Sequence, residues 1–396
     1  MAKYPLRLGV VGLGRAFTLM LPTFIRHPGV VLVACADPRS VARECFVRDF
    51  AGRAYDSVEA LCADPEIEAV YLASPHQFHV EQVQIAARFG KHILVEKPMA
   101  LRLADCRAMI AAAEGAGVHL MVGHSHSFDQ PYLTARALIG SGEFGSVRMI
   151  NAINCTDYLY RPRRPEELST AEGGGAVFSQ APHQVEIVRL LAGSEVASVR
   201  AVTGIWDPKR PTEGAYTAFL TFENAAVASL TYNGYGHFDT DALNGWIGEM
   251  GQKRDPERYA SAREALRAVR TASEESALKD KRAYGTSVTA ATIRGDEAPV
   301  AYNHFGFILA ACEHGTLRPT PSGVEIYGDD ERKFIELPVP VVPRGEVIDE
   351  LIAAVRDGVA PLHSGRWGMA TLGVCLALLR SARNGREVRV ENNVKG

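Results

Sequence analysis

The chain has 396 residues, 47% of them hydrophobic and 22% charged, with a formal net charge of −3. That length exceeds one ordinary domain and predicts two with substantial cores, while the acidic balance argues against nucleic acid as the main partner, because phosphate-neutralising proteins carry an excess of Lys and Arg. No apolar stretch of about 18 residues is available to span a membrane, and seven scattered cysteines without a Cys-x-x-Cys pair suit buried thiols in a reducing cytoplasm, the expected location.

Leu6 to Val11 reads as a short apolar strand that runs into Gly12-Leu13-Gly14-Arg15-Ala16-Phe17, followed by the helical apolar pattern Phe17, Met20, Leu21, Phe24. Strand, glycine turn and helix form the context of a dinucleotide-binding loop. Gly12 permits the tight turn and Gly14 the approach of a pyrophosphate, with Arg15, Ala16 and Phe17 opening the helix whose amino terminus would hold it. Phe17 stands where the third glycine of the pattern usually lies, which predicts a displaced loop. The second strand, Val30 to Ala36, ends in Asp37-Pro38-Arg39, at the distance expected for a ribose-binding acid. Asp37 on the ribose hydroxyls favours NAD; the Arg39 guanidinium, able to pair with a phosphate there, keeps NADP open. A helix cap is the plainer role for Asp37.

Further strands at Ala69 to Ala73, His92 to Val95 and Val118 to Val122 alternate with helical patterns at Val80 to Phe89 and Leu103 to Ala113, which predicts a doubly wound parallel sheet of the Rossmann type. Ligands of such sheets bind beyond the carboxyl ends of the strands. Two segments fall there. Ser74-Pro75-His76-Gln77-Phe78-His79 is placed to border a nicotinamide, and Glu96-Lys97-Pro98 puts an acid and an amine where charge is rare, with Pro98 fixing the backbone and a cis bond there able to aim the amine. A surface ion pair before a helix would read the same way.

Taken together, the glycine loop, Asp37, Ser74-Pro75-x-x-x-His79, Gly90-Lys91-His92 and Glu96-Lys97-Pro98 resemble the Gfo/Idh/MocA family of nicotinamide-dependent oxidoreductases. The resemblance implies that Lys97 lies near the nicotinamide and the reacting carbinol, with Ser74, Pro75, His79 and Glu96 lining the cofactor site. It also implies a second domain, α+β, with a large, mostly antiparallel open sheet that packs on another subunit in a homo-oligomer. The expected division is residues 1–125 and residues 126–396.

The strand at Val118 to Val122 leads into Gly123-His124-Ser125-His126-Ser127, where side chains two apart share a side, so His124 and His126 are candidates for substrate contact, for structural hydrogen bonding or for a metal. Gly173-Gly174-Gly175 and the helix after it resemble the family's second signature, in which an Asp and a His four residues apart face the substrate. Ser179 and His183 occupy those positions here. The spacing keeps both on one helical face, but the acid is gone, so His183 as general base needs another partner. Lys97 and His183 are thus the candidate proton acceptors.

Arg161, Arg163 and Arg164 precede this signature, and three guanidinium groups suit a substrate carrying carboxylates. The wording around Gly12 to Met20, Arg161 to Glu167 and Gln180 to Gln184 resembles the phthalate cis-dihydrodiol dehydrogenase branch of the family, which implies oxidation of an anionic cyclohexadiene diol to a catechol. A sugar, inositol or glycoside dehydrogenase of the same family is the alternative. A cofactor-binding sensor or scaffold is the alternative outside enzymes. A metal-dependent hydrolase using His124, His126 and His183 has no carboxylate or cysteine nearby in sequence to complete its ligands, so no metal is expected.

Strand patterns at Ser198 to Ile205, Tyr216 to Phe222 and Ala226 to Tyr232 follow, with His237 in a loop at the pocket rim or away from it. Residues 251–288 break the rhythm and read as an inserted helix or mobile excursion. Helices at Val347 to Arg356 and Arg366 to Ala382, a strand at Val388 to Val390 and a frayed tail, Glu391 to Gly396, close the chain.

Overall fold

A computed structural model describes residues 4–258, 260–295 and 298–391. Six strands, β1 (Leu6–Val11), β2 (Val30–Ala36), β3 (Arg53–Tyr55), β4 (Ala69–Leu72), β5 (His92–Val95) and β6 (Leu120–Val122), form a parallel sheet in the order β3-β2-β1-β4-β5-β6. Their apolar runs are continuous because helices cover both faces of such a sheet; every residue of β4 is buried. The helices between them are α1 (Arg15–Arg26), α2 (Ser40–Phe50), α3 (Val58–Cys62), α4 (His79–Arg88) and α5 (Leu103–Gly115). The strand order reverses between β1 and β4, so the carboxyl ends of these two strands frame the crevice in which doubly wound sheets bind ligands.

The chain continues with α6 (Gln130–Gly140), β7 (Val147–Cys155), α7 (Gly175–Ser179), α8 (Ala181–Ala192), β8 (Val196–Gly204), β9 (Ala215–Phe222) and β10 (Val227–Asn233). Three short helices follow, α9 (Ser261–Arg267), α10 (Ala272–Asp280) and α11 (Ala290–Gly295). Then come β11 (Phe307–Cys312), β12 (Gly315–Thr320), β13 (Gly323–Gly328), β14 (Arg332–Glu336), α12 (Gly345–Asp357), α13 (Gly365–Asn384) and β15 (Val388–Arg389). Nine of these strands form a second sheet, ordered β14-β13-β12-β11-β7-β10-β9-β8-β15, antiparallel except between β7 and β10. Its alternation is plain. Ile150 and Ala152 on β7, Ala218 and Leu220 on β9 and Leu230 on β10 are buried, while Met149, Ile153 and Phe219, one position out of phase, lie exposed on the other face. All of α8 is buried, as befits a helix apolar on most of its circumference.

The chain divides into two units, and the division differs from the one read in sequence. The first unit comprises Met1–His124, Ala277–Glu297 and Val341–Leu372, and the second comprises Ser125–Ser276, Ala298–Pro340 and Gly373–Gly396. Residues 277–297 and 341–372 therefore return to the first unit instead of staying in a domain over 126–396. Their contacts supply the reason. The Tyr284 amide donates to the Leu13 carbonyl at 3.1 Å, its ring meets Phe17 edge-on with centroids 5.2 Å apart, and its hydroxyl donates to Asp49 at 2.7 Å. The Val122 amide donates to the carbonyl of buried His363 at 2.8 Å. Phe17 is fully buried between Tyr284 and Phe24, so the residue in place of the third glycine fills a core position that the returning segment creates. Part of the excursion at 251–288 is helical, and the expected tail lies outside the described residues beyond Glu391.

Candidate active site

At the carboxyl end of β1, Gly12 has φ of +88°, and a Cβ there would stand 2.8 Å from the Ser74 nitrogen; no residue with a side chain fits. Gly14 precedes α1, and a Cβ on it would meet nothing within 4 Å, which leaves open space over the helix amino terminus where backbone N–H groups and the helix dipole favour a phosphate. Buried Asp37, at the end of β2, accepts from the Leu13 amide at 2.7 Å and from the Arg39 amide at 2.9 Å. This turn, the open helix end and the carboxylate beyond β2 fit a dinucleotide. Arg15 is exposed, and Ala16 is partly covered. The Arg39 guanidinium donates to Asp37 at 3.0 Å, to the Leu13 carbonyl at 2.8 Å and to the Tyr284 carbonyl at 3.2 Å. A ribose phosphate would have to displace those bonds.

Ser74 and Pro75 follow β4, and the Ser74 hydroxyl donates to Gln82 at 2.5 Å. His79 opens α4 and is buried, with Nε2 3.0 Å from the Ser74 carbonyl and Nδ1 3.2 Å from the Met99 carbonyl. Burial pushes this imidazole down to about 4, so it is neutral at ordinary pH and donates one of those bonds. Both nitrogens face backbone, and what His79 does in this structure is tie the loop after β4 to the segment after β5. Glu96 and Lys97 lie at the end of β5. Burial raises the Glu96 carboxyl above its usual range, while the Tyr71 hydroxyl, donating at 2.5 Å, and the Lys97 charge work the other way. Lys97 is half-buried and is joined to Pro98 by a cis peptide bond; the Gly123–His124 bond is also cis.

In the second unit the i, i+4 geometry expected of Ser179 and His183 is altered. Ser179 ends α7 and His183 lies in the first turn of α8, with Gln180 between the two helices. Pro182 is the cause: it has no N–H for the Phe178 carbonyl, and its ring crowds that carbonyl. Gly174, ahead of α7, is required by crowding, since a Cβ on it would lie 2.4 Å from the Glu167 carbonyl oxygen. Buried His183 meets His126 edge to face, ring centroids 4.9 Å apart, and both rings rest on Phe305. His126 Nδ1 lies 2.7 Å from Asp129 Oδ2.

Asp129 corrects the view that no carboxylate stands near the two histidines in sequence. His124, His126 and Asp129 are all buried and offer nitrogen and oxygen atoms within 4.8 Å of one another. The 2.7 Å contact is a hydrogen-bond distance, however, and ligand atoms around a tetrahedral ion stand roughly 3.3 Å apart when each bond is about 2 Å.

The arginines of the loop before the glycine signature have partners within the chain. Arg161 donates to Asp157 at 2.9 Å and to Glu249 at 3.4 Å; burial opposes its charge, and these two carboxylates hold its pKa above the usual range. Arg163 lies 3.7 Å over the Tyr158 ring and donates to the Tyr158 carbonyl at 2.7 Å. The Arg164 amide donates to Glu167 at 2.9 Å. Arg161 and Arg163 are thus engaged within the chain. His237 is exposed in a turn. Sequence reasoning missed Tyr71, Asp129, Tyr284 and Phe305; for Asp129 the signal was present, one helical turn beyond His126.

A family model described as an oxidoreductase family with an NAD-binding Rossmann fold matches residues 6–124, and one described as a GFO/IDH/MocA C-terminal domain matches residues 132–243. Over 379 residues, 96% of this chain and 95% of the other, the sequence is 44% identical to the 1-carboxy-3-chloro-3,4-dihydroxycyclohexa-1,5-diene dehydrogenase of Comamonas testosteroni. The crystal structure of a protein from Bordetella bronchiseptica RB50 matches with a TM-score of 0.91 at 41% identity, over 97% of this chain and 100% of that one. An oxidoreductase from Agrobacterium radiobacter, crystallised with NAD+, L-tartaric acid and magnesium, shares the fold with a TM-score of 0.72 at 19% identity, over 97% of this chain and 98% of that one.

His79 gives this site a pH signature. The unfolded residue titrates near 6.5 and the folded one near 4, so between those values the unfolded chain binds the additional proton. The stability contributed at neutral pH is therefore lost as pH falls through about 6.5, and the loss levels off below about 4. From pH 7 to pH 5 it amounts to about 2 kcal/mol. Urea unfolding at the two pH values should show this loss shrinking by about that much in His79→Gln; an unchanged pH dependence would contradict the assignment.

Proposed function

This chain belongs to the Gfo/Idh/MocA family of oxidoreductases, and from that premise we propose that it oxidises a carboxylated cis-dihydrodiol, of the 4,5-dihydro-4,5-dihydroxyphthalate type, to the corresponding catechol with NAD. The observation that carries the reading is the likeness, along nearly the whole of both chains, to a dehydrogenase named for a carboxylated cyclohexadiene diol. The substrate carboxylate is inferred from that likeness. The arginine loop no longer supports it independently, since Arg161 and Arg163 already have partners.

In the Rossmann unit, the Gly12 turn, the open amino terminus of α1 and Asp37 would hold the dinucleotide, and the engagement of Arg39 favours NAD over NADP. Bound nicotinamide supplies a hydride acceptor. Lys97, beyond β5, and His183, at the start of α8, are the groups to receive or relay the hydroxyl proton of the carbinol. Tyr71 and Glu96 hold the backbone before Lys97 in place. The ketone formed by losing that hydride and proton enolises to an aromatic ring, so aromatic stabilisation drives the reaction and a modest base suffices.

The exposed face of the nine-stranded sheet carries Met149, Ile153, Val202, Phe219 and Phe334 in positions that share a side, an apolar surface of the kind that another subunit covers. We assign a homo-oligomer to it. Sedimentation should give a multiple of 42.9 kDa, and Phe219→Lys should shift the protein toward monomer; a wild-type monomer would overturn the assignment.

The functional reading is tested by following reduced nicotinamide with NAD or NADP against a panel of mono- and dicarboxylated cis-dihydrodiols, neutral dihydrodiols, inositols and sugars. Turnover should be confined to the carboxylated diols with NAD, and Lys97→Met should lower kcat by about 100-fold or more, the scale of acid–base catalysis. Turnover of neutral polyols alone would replace this reading with the sugar or inositol one.

A further inference from the structure

The carboxylate that the resemblance led us to expect at position 179 is a serine, and the break at Gln180 separates that residue from His183. A carboxylate is nevertheless built into the same cluster of rings. His126 and His183 are 4.9 Å apart between centroids, and Phe305 lies 5.1 Å from the first and 5.0 Å from the second. Asp129 is buried, with Oδ2 2.7 Å from His126 Nδ1.

The placement of Asp129 is informative. It sits at the N-cap of α6, before Gln130-Pro131, where an aspartate ordinarily accepts from the first free amides of its helix. Here the side chain makes no capping bond. Oδ2 takes the His126 ring, and Asn303 Nδ2 approaches Oδ1 at 3.4 Å. The helix dipole still favours the charge, so α6 stabilises an anion whose hydrogen bonding is directed at an imidazole. Ser127, the next residue after His126, is fixed in turn, donating to Glu186 on α8 at 2.8 Å. The segment that carries His126 is thereby tied to the helix that carries His183.

We propose that Asp129 is a positioning residue that acts through His126, and that this carboxylate–imidazole pair supports proton transfer at His183 in place of an acid at position 179. The inference rests on the oxidative reading above. A carboxylate on Nδ1 fixes the tautomer of His126 with its proton on that nitrogen and sets the ring plane that His183 meets. In the reaction the substrate C–H and O–H bonds break and a C=O bond forms; the hydride leaves to NAD+ and the proton goes to the His183 ring. The negative charge of the pair stabilises the imidazolium that results, and no proton passes to Asp129.

The test combines Asp129→Asn, His126→Gln and the double variant. In the wild-type protein without substrate, nitrogen NMR of labelled histidines should show His126 protonated on Nδ1 with a strongly hydrogen-bonded proton, a signal that Asp129→Asn abolishes. Each single variant should lower kcat by about 10- to 100-fold, the scale of partners that orient a reacting group, with KM for diol and NAD within about threefold. The double variant should be no worse than the poorer single, because Asp129 works through His126. Single-variant losses that multiply in the double, a kcat for Asp129→Asn within twofold of wild type, or His126 lacking a proton on Nδ1 would each overturn the proposal. If Asp129→Asn does not fold, the wild-type tautomer and the kcat and KM of His126→Gln decide it. If no diol is oxidised at all, the proposed function fails while the tautomer measurement still reads the pair.

Discussion

Gly12 packs against the backbone between Ala73 and Ser74 more closely than any Cβ would allow. This approach is available only at the point where the parallel sheet reverses its strand order, because there the turns after β1 and β4 diverge to opposite faces and leave a crevice between them. Several other features depend on it. With the turn held down, the Leu13 amide reaches Asp37, its carbonyl receives Arg39 and Tyr284, and the open end of α1 faces the crevice. Ser74, pressed against Gly12, offers its carbonyl to His79, which also reaches Met99 beyond Lys97 and Pro98. One glycine thus links the dinucleotide loop to the segment that presents the amine.

The second unit solves a different problem. Its central helix α8 is buried on every side, so each polar group on it must find a partner within the protein. Gln184 accepts from Tyr216 and donates to the Thr231 carbonyl, and Glu186 accepts from Ser127. Such bonds fix the rotation of the helix about its axis, and with it the direction of His183. The ring triangle of His126, His183 and Phe305 combines both demands: contact with Phe305 orients two imidazoles, and Asp129 directs Nδ1 of the first.

Much of the Rossmann unit was legible because its signals are local. The β1 turn, the acid after β2 and the charged pair after β5 each occupy a few consecutive residues, and the alternation of strand and helix orders them. What was illegible came from distant partners. Tyr284 lies 245 residues from Arg39, and nothing in the sequence indicates that it fills the space beside Phe17 or engages that guanidinium through its carbonyl. The arginine loop looked like a substrate clamp because Glu249, a carboxylate that the Arg161 guanidinium engages, lies 88 residues from it. Two features could have been read and were not. Pro182 interrupts the helical spacing from Ser179 to His183, and Asp129 stands three residues after His126.

The central claim is that a carbinol C–H of a carboxylated cyclohexadiene diol is the bond this protein breaks. Its most direct test is a diol carrying deuterium at the ring carbinol carbons, incubated with NAD and the enzyme. The account requires one deuterium at C4 of the reduced nicotinamide, an aromatic catechol in equal amount, and a primary isotope effect under single-turnover conditions. The second deuterium leaves to water as the ketone enolises; release of both deuteriums to water, or a ring product that keeps both labels, would contradict it.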